Sequence, residues 1–151
     1  MASLRSDIWI ARPPDSVWAL VADPSRISDW FPGTERTVVE GTTRTITLRS
    51  GLPLIEEVVN VDPQLRRFQY RIVGPLPVAY HLGTVDVLDD ADGTRVVYST
   101  EISPDPLAFV IDGAIADAVV GLKALAESEP DERPIPADDT TADPIPAEEA
   151  S

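Results

Sequence analysis

His81 is the single histidine of this chain, and imidazole is the side chain whose ordinary pKa lets it exchange protons near neutrality. It falls in a segment of alternating apolar residues, on the same face as Gly83, Val85 and Val87. Glu57 stands in another alternating segment, with Ile55, Val59 and Val61 as its face-mates. If both faces look into one apolar space, carboxylate and imidazole form an acid–base pair with shifted pKa values. The competing reading has His81 hydrogen-bonded at a cavity wall and Glu57 paired with Arg44 or Arg71. Tyr70 and Tyr98 offer phenolic donors to a ligand carbonyl, or else are core aromatics with satisfied hydroxyls.

Other chemistries lack their residues. There is no cysteine, which removes disulfides, thiol nucleophiles and thiolate metal sites. One histidine and no acidic cluster before the C-terminal tail leave no ligand set for a metal. No phosphate-binding loop, dinucleotide fingerprint or GxSxG elbow occurs, so no cofactor is expected. Net charge is −14, shared equally between residues 1–127 and 128–151. Nucleic acid needs a cationic surface, so it is excluded as a partner. No apolar run approaches the roughly 18 residues of a membrane span, and MASLRSDIW lacks a signal peptide's apolar core, so a cytoplasmic protein is expected.

The elements that would position these side chains read as follows. Residues 3–10 alternate, with Leu4, Ser6, Ile8 and Ile10 on one face of a strand and Trp9 on the other. Val17, Leu20 and Val21 mark a short helix that stops at Asp23-Pro24. A second short helix, Ser25 to Trp30, turns Ile27, Trp30 and Phe31 inward and ends at Pro32-Gly33. From Thr34 to Ile102 the period is two. Strands are expected near 35–40, 43–50, 54–62, 66–73, 79–89 and 94–102, joined by turns at Gly41, Ser50-Gly51, Asp62-Pro63, Gly74-Pro75 and Asp90–Gly93. Parity turns Arg44, Ile46 and Leu48 inward, then Ile55, Glu57, Val59 and Val61. Phe68, Tyr70 and Ile72 follow, then the His81 set and Val96, Tyr98, Thr100 and Ile102. A slip of one residue would invert any set.

The stretch Ser103–Glu127 is the long helical pattern, with Leu107, Ile111, Ala114, Ile115, Ala118, Leu122 and Leu125 on one face. Ser103 is placed to cap it, with Pro104 at the first helical position and Asp105 in the first turn. Gly113 and Gly121 each cost such a helix about 1 kcal/mol against alanine. Small residues at that cost allow a neighbour to come close, or leave room for a cavity. Residues 128–151 hold five prolines and eight acids and read as a disordered tail. Its imperfect repeat, Pro134–Asp139 and Pro144–Glu149, is a solubilising feature, a short linear motif for a partner, or an intramolecular flap.

With Ala11–Trp18, Asp23-Pro24, Asp29–Gly33, Asp62-Pro63, Phe68–Ile72, Pro75–Val78 and Asp92–Ser99 in this order, residues 3–127 resemble the START-like helix-grip superfamily (SRPBCC). The likeness is to its polyketide cyclase/dehydrase and lipid-transport branch. It implies an α+β fold, a curved seven-stranded antiparallel sheet gripping the long C-terminal helix, with two short helices after the first strand. Residues 1–127 would be that domain. It also implies a cavity between sheet and helix that takes a small hydrophobic or lipid-like ligand, for binding, transport or sensing. Some relatives are cofactor-free cyclases or dehydratases, for which His81 with Glu57 or a tyrosine would be the acid–base set; others are regulatory or toxin components. Tyr98 stands where many relatives carry Trp, and His81 where they more often carry Tyr. On this footing the expected lining is Trp30, Ile46, Leu48, Val59, Tyr70, Ile72, His81, Tyr98 and Thr100, faced by Ile111, Ile115, Ala118 and Leu122. Leu125 would seal the closed end. An exposed sheet edge leaves either a monomer or a homodimer open.

Overall fold

The structure is a computed structural model and describes residues 1–134. The repeat beyond residue 134 lies outside the described residues. The elements, in order, are β1 (Ala2–Ile10), α1 (Pro14–Ala22), a 3₁₀ turn (Pro24–Arg26), α2 (Ile27–Trp30), β2 (Thr34–Glu40), β3 (Thr43–Leu48), β4 (Pro53–Asp62), β5 (Arg67–Gly74), β6 (Tyr80–Asp90), β7 (Gly93–Ser103), a second 3₁₀ turn (Asp105–Leu107) and α3 (Ala108–Ser128). The strands form one antiparallel seven-stranded sheet in the order β1-β7-β6-β5-β4-β3-β2. β2 to β7 therefore follow as a meander, and β1 closes against β7 with Ala2 opposite Ile102 and Ile10 opposite Thr94. Helix α3 lies across the inner face. Ile115, Ala118, Val119, Leu122 and Ala126 are buried against Ile10, Val85, Val87, Val96 and the α1 residues Val17, Leu20 and Val21.

The long helix starts later than its capping signal implies. Ser103 ends β7, and α3 begins at Ala108 behind a 3₁₀ turn with no side-chain cap. The strand wins because the backbone of Ser103 is already bonded into the sheet: its carbonyl accepts from Ala79 N at 2.8 Å.

Of the two helical glycines, Gly121 has a packing reason. A Cβ there would stand 2.1 Å from the carbonyl oxygen of Trp30, whereas nothing lies within 4 Å of the equivalent point at Gly113. The missing side chain lets α3 rest directly on the end of α2, which is what brings Phe31 to the inner face. Because the obstacle is backbone, it cannot swing aside. Gly121→Ala should therefore destabilise by about 1–3 kcal/mol, against the gain of roughly 1 kcal/mol that Gly→Ala brings in an open helix. Urea unfolding of the variant checks the sign.

Candidate functional site

Between the sheet and the N-terminal half of α3 lies a cavity of about 300 Å³. Ile46, Leu48, Tyr70, Ile72, His81 and Tyr98 line it from the sheet, and Ile111 and Ile115 from the helix, as the sequence indicated. Five expected members are elsewhere, Val59 on the outer face of β4 and the other four in the core. Trp30, Ala118, Leu122 and Thr100 are buried in the packed core outside the cavity lining. The lining instead includes Phe31, Leu54, Leu76, Val110 and Ala114. Leu125 packs half-buried against the core rather than on the lining. The helix therefore contributes about its first two turns to the cavity and its later turns to the core.

As far as Val58, strand β4 faces opposite to its expected parity. Leu54 and Glu56 line the cavity and Val58 packs on the core, while Val59 is 46% exposed at an irregularity after which Val61 stands opposite inward-facing Phe68 but is itself 43% exposed. Glu57 points outward, where the hydroxyls of Thr42 and Thr43 bond its carboxylate, the latter at 3.1 Å. The His81–Glu57 acid–base pair is thus absent, because the two side chains occupy opposite faces of the sheet. The register of β3 with β4 goes with a cross-strand ion pair. Arg44 on β3 lies directly opposite Glu56 on β4, and both side chains face inward.

That pair is buried, with side-chain exposures of 2% for Arg44 and 5% for Glu56. Arg44 Nε donates to Glu56 Oε2 at 2.8 Å, and Nη2 donates to the same oxygen. Nη1 donates to the Pro24 carbonyl at 3.4 Å. The guanidinium carbon lies 5.3 Å from the Phe68 ring centre and 5.1 Å from that of Tyr70, a cation–π arrangement on both rings. Burial raises the Glu56 carboxyl above its ordinary value, and the charge and hydrogen bonds of Arg44 oppose that rise.

Beside the ion pair, the Tyr70 and Tyr98 hydroxyls bond one another. Tyr70 reaches there because Gly83 is its partner in the adjacent strand. A Cβ on Gly83 would come within 2.4 Å of the Tyr70 ring, so the ring lies across the bare backbone. Burial pushes both phenols up, Tyr70 well above its ordinary value; they are neutral donors at any physiological pH. Two hydroxyls sharing one bond leave one O–H free to donate.

His81 has a structural duty. The β5–β6 ladder runs from Arg67/Asp86 to Tyr70/Gly83 and stops. Beyond it, Ile72 N–H donates to His81 Nδ1 at 3.0 Å, so the imidazole replaces the missing backbone acceptor. With Nδ1 accepting, the proton of the neutral ring sits on Nε2. Burial lowers the His81 pKa to about 4. At neutral pH the ring is uncharged and its basic nitrogen is occupied, which suits a hydrogen-bond donor better than a general base.

A family model described as polyketide cyclase / dehydrase and lipid transport matches residues 1–127. None of the curated proteins matches. Among solved structures, the protein XoxI from Bacillus cereus is 22% identical, with a TM-score of 0.78 over 84% of this chain and 96% of its own. A solution structure from Thermobifida fusca is 31% identical, with a TM-score of 0.68 over 85% of this chain and 93% of its own. The di-domain ARO/CYC BexL from the BE-7585A biosynthetic pathway is 24% identical, with a TM-score of 0.72; the match covers 86% of this chain and 48% of BexL.

Proposed function

The chain belongs to the polyketide cyclase / dehydrase and lipid transport family, and from that footing we propose that its cavity binds a small hydrophobic ligand for transport or sensing. The observation that carries this reading is the cavity itself: about 300 Å³ of space, lined mainly by aliphatic and aromatic side chains with a few converging polar groups. That is the usual character of a small-molecule site. Burial of apolar surface would supply most of the affinity, at roughly 25 cal/mol per Å². The free tyrosine O–H and His81 Nε2–H would orient the ligand. No helix among the described residues is long and apolar enough to cross a membrane, and a ligand carrier in an aqueous compartment is consistent with that.

An acid–base enzyme is the weaker reading, because Glu57 is outside the cavity and His81 Nδ1 is bonded to the backbone. Native mass spectrometry before and after organic extraction tests binding directly. The expected result is a co-purifying small molecule lost on extraction, and uptake of the neutral fluorophore N-phenyl-1-naphthylamine by the extracted protein. Extracted protein that takes up no such probe at millimolar concentration would remove the binding reading.

A further inference from the structure

The ion pair in the cavity wall is asymmetric. Both bonds from Arg44 go to one oxygen of Glu56, Oε2. Oε1 is engaged by no donor among the described residues, although Glu56 is 4% exposed and belongs to the cavity lining. A carboxylate oxygen has about two acceptor sites, and on the cavity lining those of Oε1 are open to a donor. Arg44, by contrast, already has its charge balanced by Glu56: three of its five N–H groups are engaged, two on Glu56 and one on the Pro24 carbonyl, and two aromatic rings lie against the guanidinium. Arg44 and Glu56 are the charged residues of the lining. An anionic ligand would therefore find no unpaired cation and would meet the carboxylate instead, in surroundings that screen charge poorly.

We propose that Oε1 of Glu56 is the anchor for the ligand, and that the cavity takes a compact, uncharged molecule presenting a hydroxyl or N–H donor, in preference to a carboxylic acid or a phospholipid. The inference rests on the ligand-binding reading and narrows it to a chemical class. Size agrees. The cavity of about 300 Å³ has room for a fused pair of rings or a short chain. The neighbouring polar groups fit a hydroxyl as well, since its oxygen can accept from the free tyrosine O–H or from His81 Nε2–H while its proton goes to Oε1.

Three probes of one shape test this: naphthalene, 2-naphthol and 2-naphthoate, each displacing N-phenyl-1-naphthylamine at pH 7 from the full chain. The expected order is 2-naphthol tightest by about tenfold over naphthalene, the effect of one hydrogen bond to a charged group, with 2-naphthoate weakest. In the Arg44→Met/Glu56→Leu double variant the naphthol-to-naphthalene ratio should fall to about one. In the unmutated protein, labelled with ¹³C at glutamate carboxyls, one buried carboxyl resonance should move with 2-naphthol and stay still with naphthalene. This last measurement holds even if the double variant does not fold. Equal binding of naphthol and naphthalene, tighter binding of naphthoate, or an unmoved carboxyl resonance overturns the assignment while leaving ligand binding intact. Failure of all three probes to bind overturns both readings.

Discussion

Arg44→Met should destabilise the protein by about 3–5 kcal/mol, the cost of stranding a buried carboxylate without its partner. The methionine fills much of the space under Phe68 and Tyr70, so the loss is electrostatic more than volumetric. Exchanging both partners, Arg44→Met with Glu56→Leu, should return stability to within about 1 kcal/mol of the parent or above it, because apolar side chains of similar size avoid desolvating two ions. Urea unfolding of the single and double variants measures both. The dependence on pH separates charge from packing. Burial already holds Glu56 above its ordinary 4.5, with Arg44 pulling the other way. A carboxyl raised in the folded state leaves stability intact below its unfolded value and withdraws it as pH climbs towards the folded one. Removing Arg44 extends that window upward. The gap between Arg44→Met and the parent should accordingly be small near pH 4 and wide at pH 7. A gap that does not vary with pH would mean that Arg44 acts through packing alone.

Ala114→Trp should abolish binding of N-phenyl-1-naphthylamine, by about a hundredfold or more, while stability stays close to that of the parent. Ala114 is on the cavity lining, and its side chain grows into empty space. An indole there takes up a large part of about 300 Å³, so the ligand and the new ring cannot both fit. Overpacking a filled core costs about 1–3 kcal/mol; a smaller loss is expected here because the site is a void. Fluorescence titration and urea unfolding of the same preparation give the two readouts. Retained probe affinity would place the ligand somewhere other than the cavity.

Much of the architecture was legible from alternation and turn chemistry. Each strand from β2 to β7 lies within two residues or so of its expected bounds, because alternating apolar runs flanked by glycine, proline and aspartate admit few other structures. The face of β4 was not legible. In Leu54–Val61 the odd positions Ile55, Val59 and Val61 look like the apolar set, yet Leu54, Glu56 and Val58 face in, and an irregularity at Val59 then resets the alternation. The deciding detail is the β3–β4 loop. A two-residue turn at Ser50-Gly51 would set Arg44 opposite Glu57. The loop actually closes with Leu48 N–H on the Leu52 carbonyl at 2.9 Å, with Gly51 at φ 87°, which makes a three-residue connection and sets Arg44 opposite Glu56. One residue of loop length inverts the strand as far as Val58. The ion pair, and with it the anchor oxygen, hangs on that residue. The cavity's position along α3 was hidden for a different reason. Ile111 and Leu122 have the same polarity and period, and tertiary contacts such as that of Gly121 with α2, invisible in the periodicity, set where α3 is packed.

The two ends of α3 are held very differently. At its C-terminus, Arg12 Nη2 donates to the Glu127 and Glu129 carbonyls at 2.7 and 3.0 Å. Lys123 Nζ donates to the Trp9 carbonyl at 2.8 Å and Glu127 accepts from Ala11 N–H at 3.1 Å. At its N-terminus there is no side-chain cap, and Phe109 and Val110 are 87% and 68% exposed. The helix is in effect a cantilever, clamped to β1 at one end and free over the cavity at the other. The energy of local opening then rises along its length, lowest beside Val110 and Ile111 and highest beside Leu122. If the cavity holds a ligand as proposed, the uncapped end is where it would pass, and a ligand lying under Ile111 and Ile115 would act as the second support that this end of the helix lacks.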